Sequence, residues 1–128
     1  MAKSHSLHES FRHAIDGFVD AVKAERNIKI HCAVAVIVMG FAFVLGLTAG
    51  EKSVLIILCG LVITAELFNT ALENAVDLAS PELHPLAKRA KDSAAAAVFI
   101  LSLTAAVVGV IIFWPYGMEI LYKIQKII

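Results

Sequence analysis

The chain has 128 residues, 59% of them apolar and 17% charged, with a formal net charge of zero at neutral pH and a mean hydropathy of +0.82. Soluble domains average about 45–50% apolar and about 25% charged residues, so this is the composition of a membrane protein, which excludes a disordered chain or a string of soluble domains. The balanced charge and the lack of a long basic run leave no electrostatic footprint for nucleic acid, and no nucleic-acid partner is expected.

In the leader, Leu7, Phe11, Ala14, Ile15, Phe18 and Val22 recur at helical spacing, while Glu9, Arg12, His13, Asp16, Asp20 and Lys23 fill the other side. This pattern predicts an amphipathic helix over about 7–24 lying on the bilayer surface. The leader is too long and too charged for the basic region of a signal peptide, and no small-residue cleavage site follows the first apolar run, so it is expected to stay in the mature protein.

Three later stretches are long enough for a hydrocarbon core, which takes roughly 20 apolar residues. Residues 32–50 carry no charge, 53–72 carry Glu66 alone, and 93–114 carry none before Pro115 closes the run. With their flanks these predict three transmembrane helices over about 30–50, 53–74 and 93–114. The remaining tail, 117–128, holds Ile120, Leu121, Ile124, Ile127 and Ile128, and reads either as an outer-surface helix or as an extension with no role. Cys32 and Cys59 sit inside apolar runs at a spacing that suits neither zinc nor a disulfide framework, which makes them buried inert thiols. No internal repeat or linker is visible, so residues 1–128 are expected to form one membrane domain.

Orientation follows from the distribution of Lys and Arg. Lys3, Arg12, Lys23, Arg26 and Lys29 precede the first span, and Lys88, Arg89 and Lys91 lie between the second and third. Lys52, Lys123 and Lys126 occupy the other segments. The N-terminus and the 80–92 loop are therefore expected in the cytoplasm of a multi-pass plasma-membrane protein, with the 48–52 turn and the C-terminus outside.

The informative run is AELFNTALENAVDL, residues 65–78. Glu66, Asn69, Thr70, Glu73, Asn74 and Asp77 are spaced to share one helical face, a polar stripe descending into the bilayer. Polar side chains of this kind also serve simply as interhelical hydrogen-bonding groups. A charge deep in a span costs roughly 2.5 kcal/mol or more, however, and an embedded carboxylate points to proton transfer. Glu25, heading ERNIKIH at the entry to the first span, and Lys91 with Asp92, at the entry to the third, lie level with Glu73 and Asp77. Each alone is an ordinary interface charge; together, carboxylates and a lysine suit a magnesium polyphosphate. His31 reads as a satisfied interfacial histidine rather than a ligand, and His5, His8 and His13 as solvated side chains. Small residues at 93–97, Ala105 and Gly109 allow close packing of the third span and clear space beside the stripe.

Read as E-x-x-N-[ST]-A-[IL]-E-x-x-V-D, residues 66–77 resemble the signature of the prokaryotic diacylglycerol kinase family, small lipid kinases with three transmembrane helices. The likeness runs from about Phe11 to Pro115 and includes the ERN-x-x-x-H run and the AKRAKD segment ending at Asp92. It implies that Glu66 is the general base for the lipid hydroxyl, with Asn69 beside it, and that Glu25 and Glu73 hold the Mg2+ that travels with ATP. It further implies that Lys91 contacts the phosphates, that Asp92, Glu82, His84, Arg89 and Asp77 surround the nucleotide, and that the chain forms a homotrimer with shared sites. ERN followed by KIH, with 111–115 closing the last span, resembles the Gram-positive branch, whose preferred acceptor is undecaprenol. In the diacylglycerol-using Gram-negative branch an arginine and a glutamate usually stand where this chain has Lys29 and His31. No GxxxxGK[ST] loop or protein-kinase motif is present, so ATP rests on the resemblance alone. From another class, a proton-coupled carrier would also use an embedded glutamate, although the remaining polar residues cluster at one end of the bundle. A purely structural membrane subunit would leave the stripe unexplained.

Overall fold

The computed structural model describes residues 6–82 and 84–127, which leaves Lys3, His5 and Ile128 outside the described residues. Four helices follow in order: α1 (Leu7–Ala24), α2 (Arg26–Val44), α3 (Ala49–Ala79) and α4 (Pro85–Gln125). There is no strand among the described residues, in line with the expected all-α class. The last three helices are each long and apolar enough to cross a membrane.

The leader helix begins and ends where periodicity placed it. Ser6 and Glu9 form a capping box: the Ser6 hydroxyl accepts from the Glu9 N–H and the Glu9 carboxylate accepts from the Ser6 N–H, which satisfies two of the donors a helix start leaves free. Its C-cap, Glu25, has extended backbone (φ −101, ψ 123) and is at once the N-cap of α2. One residue therefore turns the chain, and Lys29 Nζ braces the corner by donating to the Lys23 carbonyl at 2.9 Å. Leu7, Phe11 and Ile15 stay 62–80% exposed, an apolar face with no protein partner.

At the opposite end, Gly46 takes the left-handed conformation (φ +68), which glycine adopts at no steric cost. Thr48 and Glu51 then repeat the capping box and start α3 at Ala49, earlier than the apolar run alone indicated. That helix extends past residue 74 to Ala79, where Ser80 precedes Pro81, and a residue before proline is disfavoured in a helix. Pro85, which needs no N–H partner, opens the last helix well before residue 93, with the His84 ring accepting from the Leu86 N–H at 3.2 Å.

Pro115 does not close the third span. It lies inside α4, which runs on to Gln125, so 117–125 belong to that helix and do not form a separate tail. Proline removes one backbone donor from a helix, and spans tolerate this where neighbouring packing holds the segment. The next residue supplies such packing: Tyr116 Oη donates to Glu51 Oε2 at 2.7 Å, and its ring lies against the tightest cluster of the bundle, Ala42, Leu47 and Leu55, with Ile112 and Phe113. Elsewhere large apolar side chains such as Phe68, Phe99 and Trp114 are 67–74% exposed, a surface suited to lipid or to other copies of the chain.

Leu55 is 3% exposed in that cluster. Leu55→Ala is expected to lower stability by about 2 kcal/mol through lost packing, whereas the volume-conserving Leu55→Met should cost less than about 1 kcal/mol; thermal unfolding in detergent checks both.

Candidate functional site

Along α3 the stripe residues share one face, and the helices opposite decide what each meets. Glu66 is the one buried charged side chain among the described residues, 5% exposed, and its Oε1 lies 3.2 Å from Nε2 of His31 on α2. One turn further, Asn69 donates through Nδ2 to Glu73 Oε1 at 2.8 Å, while Asn69 Oδ1 is covered and has no hydrogen-bond partner.

Glu66, His31 and Asn69 line a half-open chamber of about 350 Å³ together with Asn27, Val98 and Ser102. A second, almost wholly apolar groove of about 480 Å³ runs from there between the helices past Val34, Leu55, Ala105 and Phe113. His31 and Ser102 line both spaces, so the polar chamber opens directly onto the apolar groove. Of the small residues of α4, Ala95 lines the chamber beside the stripe, while Ala105 and Gly109, with Ala106, line the apolar groove.

Toward the 80–84 connection the polar groups are more exposed. Lys91 Nζ pairs with Asp77, tying α4 to α3, and Lys88 pairs with Asp92 within α4 at 2.5 Å. Lys91 and Asp77 are therefore together, as the spacing suggested. His84 uses its ring to cap α4, the Glu82 carbonyl accepts from Ser80 Oγ at 3.1 Å, and the Arg89 carbonyl accepts from Ser93 Oγ at 2.8 Å. Glu25 sits half-buried at the α1–α2 corner with no side-chain cap bond. Among the described residues no three His, Cys, Asp or Glu side chains converge within one chain as a metal cluster, so Glu25 and Glu73 belong to no such cluster. Both cysteines are free and half-buried.

Two participants escaped the sequence pattern. His31 is indeed satisfied, but by the stripe carboxylate itself. The available signal was that, between Lys29 and Thr48, no other strong hydrogen-bonding side chain could face an embedded charge. Ser102 was not singled out. In α4, Ser93 and Thr104 return their hydroxyls to the Arg89 and Ile100 carbonyls at 2.8 and 2.9 Å, the usual habit of such residues in a helix. Ser102 Oγ is covered yet bonded to nothing.

A buried carboxylate at the meeting point of a polar chamber and an apolar groove suits chemistry on the polar end of a lipid. Residues 12–113 match the family described as prokaryotic diacylglycerol kinase. The chain belongs to that family. It is 39% identical over 107 residues to the undecaprenol kinase of Bacillus subtilis, covering 84% of this chain and 87% of that protein. It is 42% identical over 107 residues to a diacylglycerol kinase of Synechocystis, covering 83% of this chain but 61% of that protein, and 37% identical over 109 residues to the diacylglycerol kinase of Haemophilus influenzae, covering 84% and 92%. As a member, the chain is a membrane lipid kinase, a phosphotransferase with an alcohol acceptor and ATP as phosphate donor.

In this kinase the Lys91–Asp77 pair is largely solvated, with side chains 33% and 63% exposed. Asp77→Asn and Lys91→Gln are each expected to change stability by no more than about 1 kcal/mol, measured by thermal unfolding in detergent; a larger loss would make the pair a structural clamp.

Proposed function

We propose that the chain phosphorylates undecaprenol with the γ-phosphate of magnesium ATP, forming undecaprenyl phosphate at the cytoplasmic face of the cell membrane. The observation that carries this is the position of Glu66, buried in the polar chamber against His31, which also lines the apolar groove. A hydroxyl at the end of a long hydrocarbon chain needs both environments at once. The acceptor is taken as the polyprenol because a relative sharing 39% identity over most of both chains is an undecaprenol kinase, and because the ERN and KIH residues resemble the Gram-positive branch. Diacylglycerol is the alternative, served by the same site, and it is the substrate named for the relatives from Synechocystis and Haemophilus. Membership of a kinase family removes the carrier alternative.

On this assignment Glu66 takes the proton as the lipid oxygen attacks the γ-phosphorus and the bond to the ADP oxygen breaks. Asn69 steadies Glu73 through its 2.8 Å hydrogen bond. The Glu25 and Glu73 carboxylates fit Mg2+, which takes hard oxygen donors and is commonly held by one or two carboxylates together with substrate phosphates. When bound, the ion neutralises phosphate charge. Lys91 turns from Asp77 to the polyphosphate, and Asp92, Asp77, Glu82, His84 and Arg89 surround the nucleotide around the 80–92 segment. Phosphoryl transfer asks mainly for positioning and electrostatics, so few side chains suffice.

We further assign the whole of 1–128 to one domain that assembles as a homotrimer with shared sites. Supporting this are the large uncovered apolar faces of the spans and the lack of a three-donor cluster within one chain among the described residues. The cytoplasmic placement of the N-terminus and the site rests on eight Lys and Arg in the leader and 80–92 segments against three elsewhere.

Transfer of labelled γ-phosphate from magnesium ATP to undecaprenol and to diacylglycerol in mixed micelles tests the reading. Undecaprenol is expected to be labelled in large excess, and preference for diacylglycerol would overturn the acceptor assignment. Glu66→Gln should lower turnover by roughly 10² to 10⁴ with nucleotide binding little changed; undiminished turnover would remove Glu66 as the base. Glu25→Gln and Glu73→Gln should each raise the Mg2+ concentration needed for half-maximal rate, and an unaltered titration would take them out of the metal site.

A further inference from the structure

The contact between His31 and Glu66 links two helices, α2 and α3, at the one buried charge among the described residues. A carboxylate oxygen only accepts, so the 3.2 Å ion-pair contact of Nε2 with Oε1 becomes a hydrogen bond when Nε2 carries the proton. For Glu66 to serve as a base it must enter the reaction ionised, and that proton then belongs to Nε2. A carboxylate in a low-dielectric site is tolerated when paired and hydrogen-bonded, and a bond to an ionised acceptor is among the stronger ones. No other hydrogen bond or ion pair is found at Glu66 among the described side chains.

We infer that His31 is the positioning residue of the kinase's base: its Nε2–H holds Glu66 Oε1, offsets the cost of a charge inside the bilayer, and leaves Oε2 for the acceptor hydroxyl. This rests on Glu66 being the base. During transfer the hydroxyl O–H bond breaks and its proton goes to Oε2. The lipid oxygen bonds to the γ-phosphorus, and the electron pair of the broken P–O bond leaves with ADP. His31 keeps its own proton throughout, so it neither accepts nor relays one. Because His31 also lines the apolar groove, a merely steric role would appear in the KM for lipid. A positioning role appears in kcat.

Glutamine and asparagine separate the two roles without an apolar replacement. The Gln amide nitrogen reaches the place of Nε2, whereas the shorter Asn amide falls near Nδ1 and stops short of Oε1. The full-length chain in mixed micelles is assayed as the parent, His31→Asn, His31→Gln, Glu66→Gln and the Glu66→Gln/His31→Asn double variant. His31→Asn is expected to lower kcat by about 10- to 100-fold, the worth of one charge-assisted hydrogen bond, with the KM values for lipid and ATP within about twofold of the parent. His31→Gln should recover kcat to within about fivefold of the parent, and in the Glu66→Gln background His31→Asn should add less than about a twofold loss, as expected of two residues acting as one unit. Equal kcat in the Asn and Gln variants, additive losses in the double variant, or an effect confined to KM for lipid would each overturn the inference. Parental turnover in Glu66→Gln would instead sink the base assignment. Impaired Glu66→Gln beside an unimpaired His31→Asn would remove His31 alone.

Discussion

An ionisable carboxylate surrounded by hydrocarbon has to be paired, and in this fold that requirement organises the middle of the bundle. Glu66 is 5% exposed at the apolar end of the polar stripe, and the partner it finds is on α2. For Nε2 of His31 to reach within 3.2 Å, α2 and α3 must meet in one register. Small and medium side chains on α4, Ala95 and Val98 among them, then close the chamber without filling it. Spans gain little from sequestering apolar surface, because lipid tails are as apolar as leucine; close packing and interhelical polar contacts take over as the specifying interactions. The same contact thus sets helix register and, on the proposed assignment, holds the base.

The two ends of the bundle are built differently, and the difference matches what each has to do. At the 45–48 turn, Gly46, the Thr48–Glu51 capping box, the Tyr116 hydroxyl and the Ala42–Leu47–Leu55 cluster interlock three helices. At the other end one solvated ion pair, Lys91 with Asp77, ties α4 to α3, while Lys88 with Asp92 and Asn69 with Glu73 are contacts within a single helix. Exposed pairs contribute at most about 1 kcal/mol each and exchange partners readily. On the proposed assignment, an anchored 45–48 end and a lightly held polar end would let a polyphosphate compete for Lys91 without disturbing the packing that aligns Glu66 with His31.

Much of this was legible in the residues. The leader helix could be bounded because its face keeps a helical period, a local signal. The spans could be counted because an uncharged run of that length has few alternatives, but their ends could not be placed: α3 and α4 continue as helices beyond the apolar run toward the 80–84 connection. Pro115 misled for a physical reason. Proline disfavours a helix interior in isolation, but here Tyr116 packs against Glu51 and the Ala42–Leu47–Leu55 cluster, set by residues far away in sequence, and the helix runs through it. The stripe from Glu66 to Asp77 was visible through its spacing, whereas the roles assigned to it came from family likeness. His31 and Ser102 were missed because they acquire meaning only from what α3 places opposite them, which no periodicity within one helix can express.

On the proposed assignment, the depth of Glu66 also bears on which acceptor wins. A kinase that deprotonates an alcohol has water as an ever-present competitor for the γ-phosphate, and soluble kinases respond by closing lids that expel it. Here the separation lies along the helix axis. Glu73 is seven residues nearer the polar end than Glu66, about 10 Å at 1.5 Å per residue, so the groups assigned to metal and nucleotide lie toward water while the base opens onto an apolar groove. Water near Lys91 would meet the phosphates without a base, whereas Glu66 is 5% exposed, behind Asn69 and in a chamber whose His31 and Ser102 also line the apolar groove. A hydroxyl tethered to a hydrocarbon chain suits both spaces, because its tail occupies the groove while its oxygen sits in the chamber. Selectivity for a lipid over water would then follow from the hydropathy gradient of α3 and α4, without a mobile cover over the site.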